Sequence, residues 1–256
     1  MVTMIIKPLM LAKTYADQDV TGWVMSEKLD GVWARYQDGK FYSKYGNRFI
    51  VPPNYCKELP KNVMLDGELW GGRESFQYVT GVTRKDKPIE EEWLTINFAI
   101  HDCPSALPFK KRYELLMNVV GNGRDFLIVA QTLIGEMGQA KQFFNIAIAL
   151  GGEGAMFKDP SAPYVHGRVG TFLKWKPKYS EEAKVIAHIP GKDGFAGTTG
   201  SLYCEWNGKY FKMGGMTRAT RKNPPAIGSI VTFKYCHLTD EGIPKSAQFV
   251  CVRNYE

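Results

Sequence analysis

Short β-branched and aromatic runs, closed by Gly, Asn or Asp, recur along the whole chain, and that rhythm excludes a mainly helical fold. Trp23 to Met25, Val32 to Tyr36, Lys40 to Ser43, Val63 to Leu65, Leu94 to Ile100, Phe126 to Leu133 and Gly154 to Phe157 read as strands. Two stretches carry helical spacing instead. Phe109 to Val119 follows Pro108 and repeats apolar residues at Leu115, Leu116 and Val119. Met137 to Leu150 is apolar at Phe143, Phe144, Ala147, Ile148 and Leu150, then stops at Gly151-Gly152. Past a polar stretch at Lys176 to Glu182, where Pro177 breaks the preceding strand, only strands remain. Val185 to Ile189 leads into a loop containing Gly191, Gly194, Gly197 and Gly200. Ser201 to Trp206 and Lys209 to Met213 flank Asn207-Gly208, a hairpin turn pair, and Gly228 to Tyr235 and Gln248 to Val252 follow. The expected fold is α+β. An antiparallel-rich domain covers residues 1–178, and an all-β domain, with a small OB-fold barrel as the natural candidate, covers 179–256.

The chain is long enough to bury a core without staples. Its five cysteines are an odd number with no C-x-x-C pair, which argues against a disulfide framework and a structural zinc site. No run of about 18 apolar residues offers a transmembrane helix. Met1 to Lys13 is too broken by Lys7 and Pro8 for a secretory signal. The protein is therefore expected in the cytoplasm as written, or in the periplasm if a leader has been removed. Lys and Arg number 33 against 26 Asp and Glu. The excess divides as 23 against 19 up to Lys178 and 10 against 7 after it. A basic surface on both parts suits an anionic partner, nucleic acid being the commonest.

The chemistry concentrates at Ser26-Glu27-Lys28-Leu29-Asp30-Gly31. A lysine at a strand end entering a turn is a nucleophile if neighbouring cations or desolvation lower its pKa, and otherwise a solvated surface lysine. Asp66-Gly67-Glu68 puts two acids on one strand face. Glu153-Gly154-Ala155-Met156 sets a carboxylate between a helix and a strand, and Lys174-Trp175-Lys176 puts two lysines on one face before the boundary.

In this order, with Ile100-His101-Asp102 between the second and third elements, the set resembles the covalent nucleotidyltransferases: ATP-dependent DNA ligases, RNA ligases and mRNA capping enzymes. The C-terminal part narrows the likeness. Pro190-Gly191-Lys192 to Gly200, Asn223-Pro224-Pro225-Ala226-Ile227-Gly228, Val231 to Tyr235 and Leu238-Thr239 with Gly242-Ile243-Pro244 resemble the OB domain of minimal bacterial ATP-dependent DNA ligases of the E type. The resemblance implies a nucleotidyltransferase (ATP-grasp-like) domain ahead of the barrel. It implies ATP and Mg²⁺, which Mn²⁺ can replace, and a monomer that seals nicked double-stranded DNA through a lysyl-AMP and a DNA-adenylate, with no membrane partner.

By the same resemblance Lys28 attacks the α-phosphate, Lys174 and Lys176 neutralise it and lower the Lys28 pKa, and Glu27 lies at the nucleotide. Glu68 reaches the ribose, Glu68 and Glu153 are the carboxylates near the metal, and Asp30 positions the turn or acts in a later step. The sequence departs from the family pattern at four places. Trp33 stands where an arginine usually follows the nucleophile, so Arg35 is the substitute, expected at DNA. Ser43-Lys44-Tyr45-Gly46 carries Lys44 in place of an arginine. His101 replaces the aromatic ring that stacks on adenine, a core histidine being the alternative. The usual R-x-D-K ending is not visible. Lys192 in the Gly-rich loop and the cluster Arg218, Arg221 and Lys222 are the expected DNA contacts, the loop alternatively being only a flexible barrel connection. An RNA ligase is the alternative within the class, and a non-catalytic OB-fold nucleic-acid-binding module the alternative outside it.

Overall fold

A computed structural model describes residues 9–253. Residues 1–8, which open the Met1 to Lys13 segment and the first expected domain, and residues 254–256 lie outside the described residues. The chain divides into two compact units, one ending at Trp175 and one beginning at Lys176. None of the described helices is long and apolar enough to cross a membrane.

The first unit contains strands β1 (Met10–Thr14), β2 (Val24–Glu27), β3 (Val32–Gln37), β4 (Lys40–Tyr42), β5 (Leu65–Trp70), β6 (Asn97–Asp102), β7 (Phe126–Ile128), β8 (Thr132–Leu133), β9 (Ala155–Lys158) and β10 (Gly167–Trp175). Helices α1 (Phe76–Thr83), α2 (Glu90–Trp93), α3 (Phe109–Leu115) and α4 (Met137–Ala149) connect them. Two five-stranded sheets result, ordered β1-β10-β9-β2-β8 and β4-β3-β5-β6-β7. Pairing is antiparallel apart from β1 with β10 and β6 with β7. The turn between β2 and β3, residues 28–31, carries the chain from one sheet to the other, so Lys28 sits where the sheets meet.

Each sheet has its own core. Phe41, Leu65, Leu69, Phe98 and Ile100 of the second sheet are almost fully buried with Trp93 of α2 and with Val79 and Val82 of α1. Burial of each large side chain contributes about 1.5–3 kcal/mol. On the first sheet Met25, Phe157 and Leu173 pack with Ala140, Phe144 and Ala147 of α4. The Phe144 ring stacks on Trp175 at 4.0 Å.

Three details depart from the sequence expectation. Helix α1 is not signalled, because its β-branched residues and central Gly81 disfavour helix locally; burying Val79 and Val82 against the sheet overrides that propensity. Phe126 to Leu133 is not one strand, since its two ends, β7 and β8, join different sheets. The helix at Phe109 continues past Leu115 as a π-helical turn over Leu116–Val120.

The second unit pairs β11 (Tyr179–Pro190), β12 (Thr199–Trp206), β13 (Lys209–Met213), β14 (Ile230–Tyr235) and β17 (Gln248–Val252) in the order β13-β12-β11-β14-β17. A small ribbon of β15 (His237–Leu238) and β16 (Pro244–Lys245) precedes β17. Both edges of the sheet meet at Gly214, whose N–H donates to Ala247 O (3.0 Å) while its carbonyl accepts from Phe249 N (2.8 Å). That closes the barrel around Val185, Leu202, Cys204, Met213, Val231 and Phe233. Asn207 and Gly208 both have positive φ, as a type I′ hairpin requires. The unit is not purely strands: Thr217 caps a five-residue helix, α5 (Arg218–Lys222), by accepting from Thr220 N.

Candidate active site

Lys28 lies just past the end of β2. Its N–H donates to Gly154 O at 2.9 Å, which extends the pairing of β2 with β9 by one step. In that register Ser26 stands opposite Met156, and Met156 opposite Lys174. Directly paired residues share a sheet face, so Lys28, Ser26, Met156 and Lys174 point the same way. Lys28 Nζ donates to Glu153 Oε2, in an ion pair of which both side chains are mostly covered. From the other sheet Glu68 approaches the same turn, its Oε2 accepting from Gly31 N–H at 2.8 Å. Only glycine fits at position 31, where a Cβ would stand 2.7 Å from Leu69 O.

Burial pulls the Lys28 pKa down, but the carboxylates of Glu153, Glu68 and Asp30 prevail, and it lies above the ordinary lysine value. The expected lowering is thus not a property of these residues alone, because the Lys28 ammonium faces anions. Burial, with repulsion from Glu153 and Asp30, pushes Glu68 up to about 7 against the pull of Lys28 and Gly31 N–H. Three carboxylates around one lysine leave negative charge that a cation would neutralise. The same burial, reinforced by Lys158 and Lys28, pushes the His101 imidazole down to about 3, so the ring is neutral near pH 7. Its Nδ1 is buried without a hydrogen-bond partner.

A family model described as "ATP dependent DNA ligase domain" matches residues 10–176, and one described as "DNA ligase OB-like domain" matches 190–253. The chain belongs to the ATP-dependent DNA ligases. A DNA ligase of Haemophilus influenzae is 34% identical over 245 residues, covering 94% of this chain and 90% of that protein. A solved structure of a Lig E DNA ligase superposes with a TM-score of 0.89 at 33% identity, covering 97% of this chain and all of that one. The Chlorella virus DNA ligase–adenylate shares the fold, with a TM-score of 0.57 at 20% identity over 98% of this chain and 99% of that one. The fold is thus the expected nucleotidyltransferase domain followed by an OB-fold, and the chain is an ATP-using enzyme of the ligase class.

The ligase gathers Lys28, Asp30, Glu68, His101 and Glu153 around one turn, with Lys174 on the face of Lys28. Other expected residues lie elsewhere. Arg35 is not a DNA contact: it is 1% exposed, and its Nε and Nη2 donate to Asp66 at 2.7 and 3.0 Å. Glu27 faces away from Lys28 and is paired with Arg73. Its side chain is therefore not at a nucleotide held on the Lys28 face. Arg221 is also a structural residue, its Nη1 donating to Thr199 O and Gly200 O while its guanidinium lies 4.2 Å over Phe195. It ties α5 to the Gly-rich loop. Lys192, Arg218 and Lys222 are exposed, as is Lys44, whose ammonium lies 4.9 Å over Tyr45. Lys176 is half-buried and begins the second unit.

Sequence reasoning missed a buried charge network beneath the site. Asp102 accepts from Arg112 Nε (2.7 Å) and Nη2 (3.0 Å) and from Lys158 Nζ (3.1 Å). Lys158 also donates to His101 O at 2.7 Å, and the Tyr164 hydroxyl donates to Asp66 at 2.5 Å. Lys158 at a strand end and Arg112 in a Lys-Lys-Arg helix carry no local mark of burial.

Proposed function

We propose that this ligase seals nicks in duplex DNA as a monomer and that Lys28 is the residue it adenylates. The observation that carries this reading is the convergence of Lys28, Glu153 and Glu68 where the two sheets meet. In the first step Nζ forms a bond to the α-phosphorus of ATP, the bond to the β-phosphate oxygen breaks, and pyrophosphate leaves. The 5′-phosphate of a nick then attacks the same phosphorus and frees the lysine. Attack by the 3′-hydroxyl on that 5′-phosphate releases AMP and joins the strands. Splitting the transfer through a covalent lysine replaces one hard step by easier ones.

Glu153 holds the ammonium in place before reaction. A divalent cation held by Glu68 and Glu153 would offset the carboxylates that raise the Lys28 pKa and leave burial, which lowers it; the triphosphate by itself adds negative charge and acts the other way. Lys174 offers a positive charge on the same face for the α-phosphate. Glu68 and Glu153 suit a hard divalent cation such as Mg²⁺, which would offset charge between carboxylates and phosphates. Among the described residues no group of three His, Cys, Asp or Glu forms a metal site, so the remaining ligands would be phosphate and water oxygens. Lys192, Arg218 and Lys222 are proposed contacts to the DNA backbone, and Lys44 a proposed phosphate contact.

Incubation with α-labelled ATP and Mg²⁺ tests the reading. Label should map to Lys28 and vanish in Lys28→Ala, whose circular dichroism should show the parent's fold even though loss of the Glu153 partner lowers its melting. AMP on another lysine ends the assignment. Comparing a nicked DNA duplex with a nicked RNA duplex and a single strand tests the substrate.

A further inference from the structure

The strand end that carries Lys28 is clamped from its other side. Successive residues of a strand point to opposite faces, so Glu27 turns away from the reacting face. Its Oε1 accepts from Arg73 Nε and its Oε2 from Arg73 Nη2, both at 2.9 Å, which is the two-pronged geometry that fixes a carboxylate's orientation as well as its position. Arg73 stands in the loop between β5 and α1, on the chain that has just supplied Glu68. Glu27 also backs against the turn before β9. A Cβ at Gly152 would stand 2.8 Å from Glu27 Oε1 and 2.7 Å from Ala147 O, and one at Gly151 would lie 3.8 Å from Arg73 Cδ. Lys28 follows Glu27 and Glu153 follows Gly152. The two partners of the reactive ion pair thus directly follow Glu27, which Arg73 holds, and Gly152, where a side chain would run into the Glu27 carboxylate.

We infer that Arg73 is a positioning residue for lysine adenylation, locking the β2 end, the Gly151-Gly152 turn and β5 together through Glu27. The inference rests on Lys28 being the adenylated residue. Arg73 acts through Glu27: it sets the direction in which the Lys28 side chain leaves the strand and the approach of Glu153 to it. Misplacing a reacting group by about 1 Å costs on the order of 100-fold in rate. Loss of the clamp should therefore slow the covalent step without removing any group that holds the nucleotide.

The test is single-turnover labelling of the full chain with α-labelled ATP across ATP concentrations, beside sealing of a nicked duplex that is already adenylated. Arg73→Ala should lower the limiting labelling rate by about tenfold or more while the ATP concentration for half-maximal rate moves less than about threefold. Arg73→Lys, which cannot span both oxygens, should fall between. Glu27→Arg should be slow alone, and the exchanged pair Glu27→Arg with Arg73→Glu should regain most of the lost rate, which a purely local folding defect would not. Sealing of the pre-adenylated nick should change less than labelling. Labelling of Arg73→Ala at the parent rate would overturn the inference, as would an exchanged pair no faster than its single variants. AMP mapping to a lysine other than Lys28 in the parent would instead overturn the assignment on which it rests.

Discussion

Asp102 gives the sharpest test of how the ligase holds its site. It is 2% exposed and stands between Arg112, with no exposed surface, and Lys158 at 4%. Besides their three bonds it accepts from Cys103 N–H at 2.9 Å. Burial raises its pKa, but Lys158 and Arg112 outweigh burial and hold it at about 2. A depression of about two units below the ordinary carboxylate value corresponds to about 2.5 kcal/mol. Asp102→Asn keeps the shape, removes the charge and leaves two buried cations with one anion fewer, a loss that typically costs ~3–5 kcal/mol. We expect about 3–4 kcal/mol, which at ~2–4 °C per kcal/mol in a domain of this size lowers melting by roughly 6–16 °C. Because the folded pKa is depressed, the stabilisation is complete above the ordinary carboxylate range and is lost as pH falls through about 2. The gap between parent and variant should therefore close toward pH 2. Calorimetry of the full chain measures it, with hydrogen exchange at β6 and β9 assigning it to this network. Lys158 also anchors His101 O, so a raised ATP requirement for labelling should accompany the loss. A variant melting within about 2 °C of the parent at pH 7 would refute the claim that this charge organises the network.

Glu68→Gln should trade activity for stability. The raised pKa of Glu68 means the folded protein binds a proton that the unfolded chain releases between the ordinary glutamate range and about 7, so stability falls as pH rises through that window. The variant should melt higher than the parent at pH 8, match it near pH 5, and lose labelling; equal melting at pH 8 would contradict the electrostatic reading. Replacing Lys192, Arg218 and Lys222 by Ala should weaken nicked-duplex binding and flatten its salt dependence with labelling unchanged, since each phosphate contact releases a counterion. Arg221→Ala should instead expose the Gly191–Gly200 loop to protease, and a loop that stays resistant would deny Arg221 its structural role.

The sequence determined the parts whose causes are local. Alternating strand runs, the Gly151-Gly152 stop and the Asn207-Gly208 turn follow from backbone preferences of a few neighbouring residues, and the structure keeps most of them; Phe126 to Leu133 divides between two sheets, and of Val63 to Leu65 only Leu65 joins a strand. Lys28, Glu68 and Glu153 stand out in the sequence only through the order of motifs that resembles the nucleotidyltransferases, since strand parity alone leaves each of them a solvated side chain. Tertiary structure decided what depends on partners far along the chain. Arg35 and Lys158 look like surface cations until Asp66 and Asp102, 31 and 56 residues away, are brought to them. Arg73 reads as a loop residue until it reaches Glu27 across 46 residues. Helix α1 forms against its own propensity because Val79 and Val82 are buried by the second sheet. A charge's role is set by which opposite charge shares its burial, and that pairing is a property of the folded chain rather than of any segment of it.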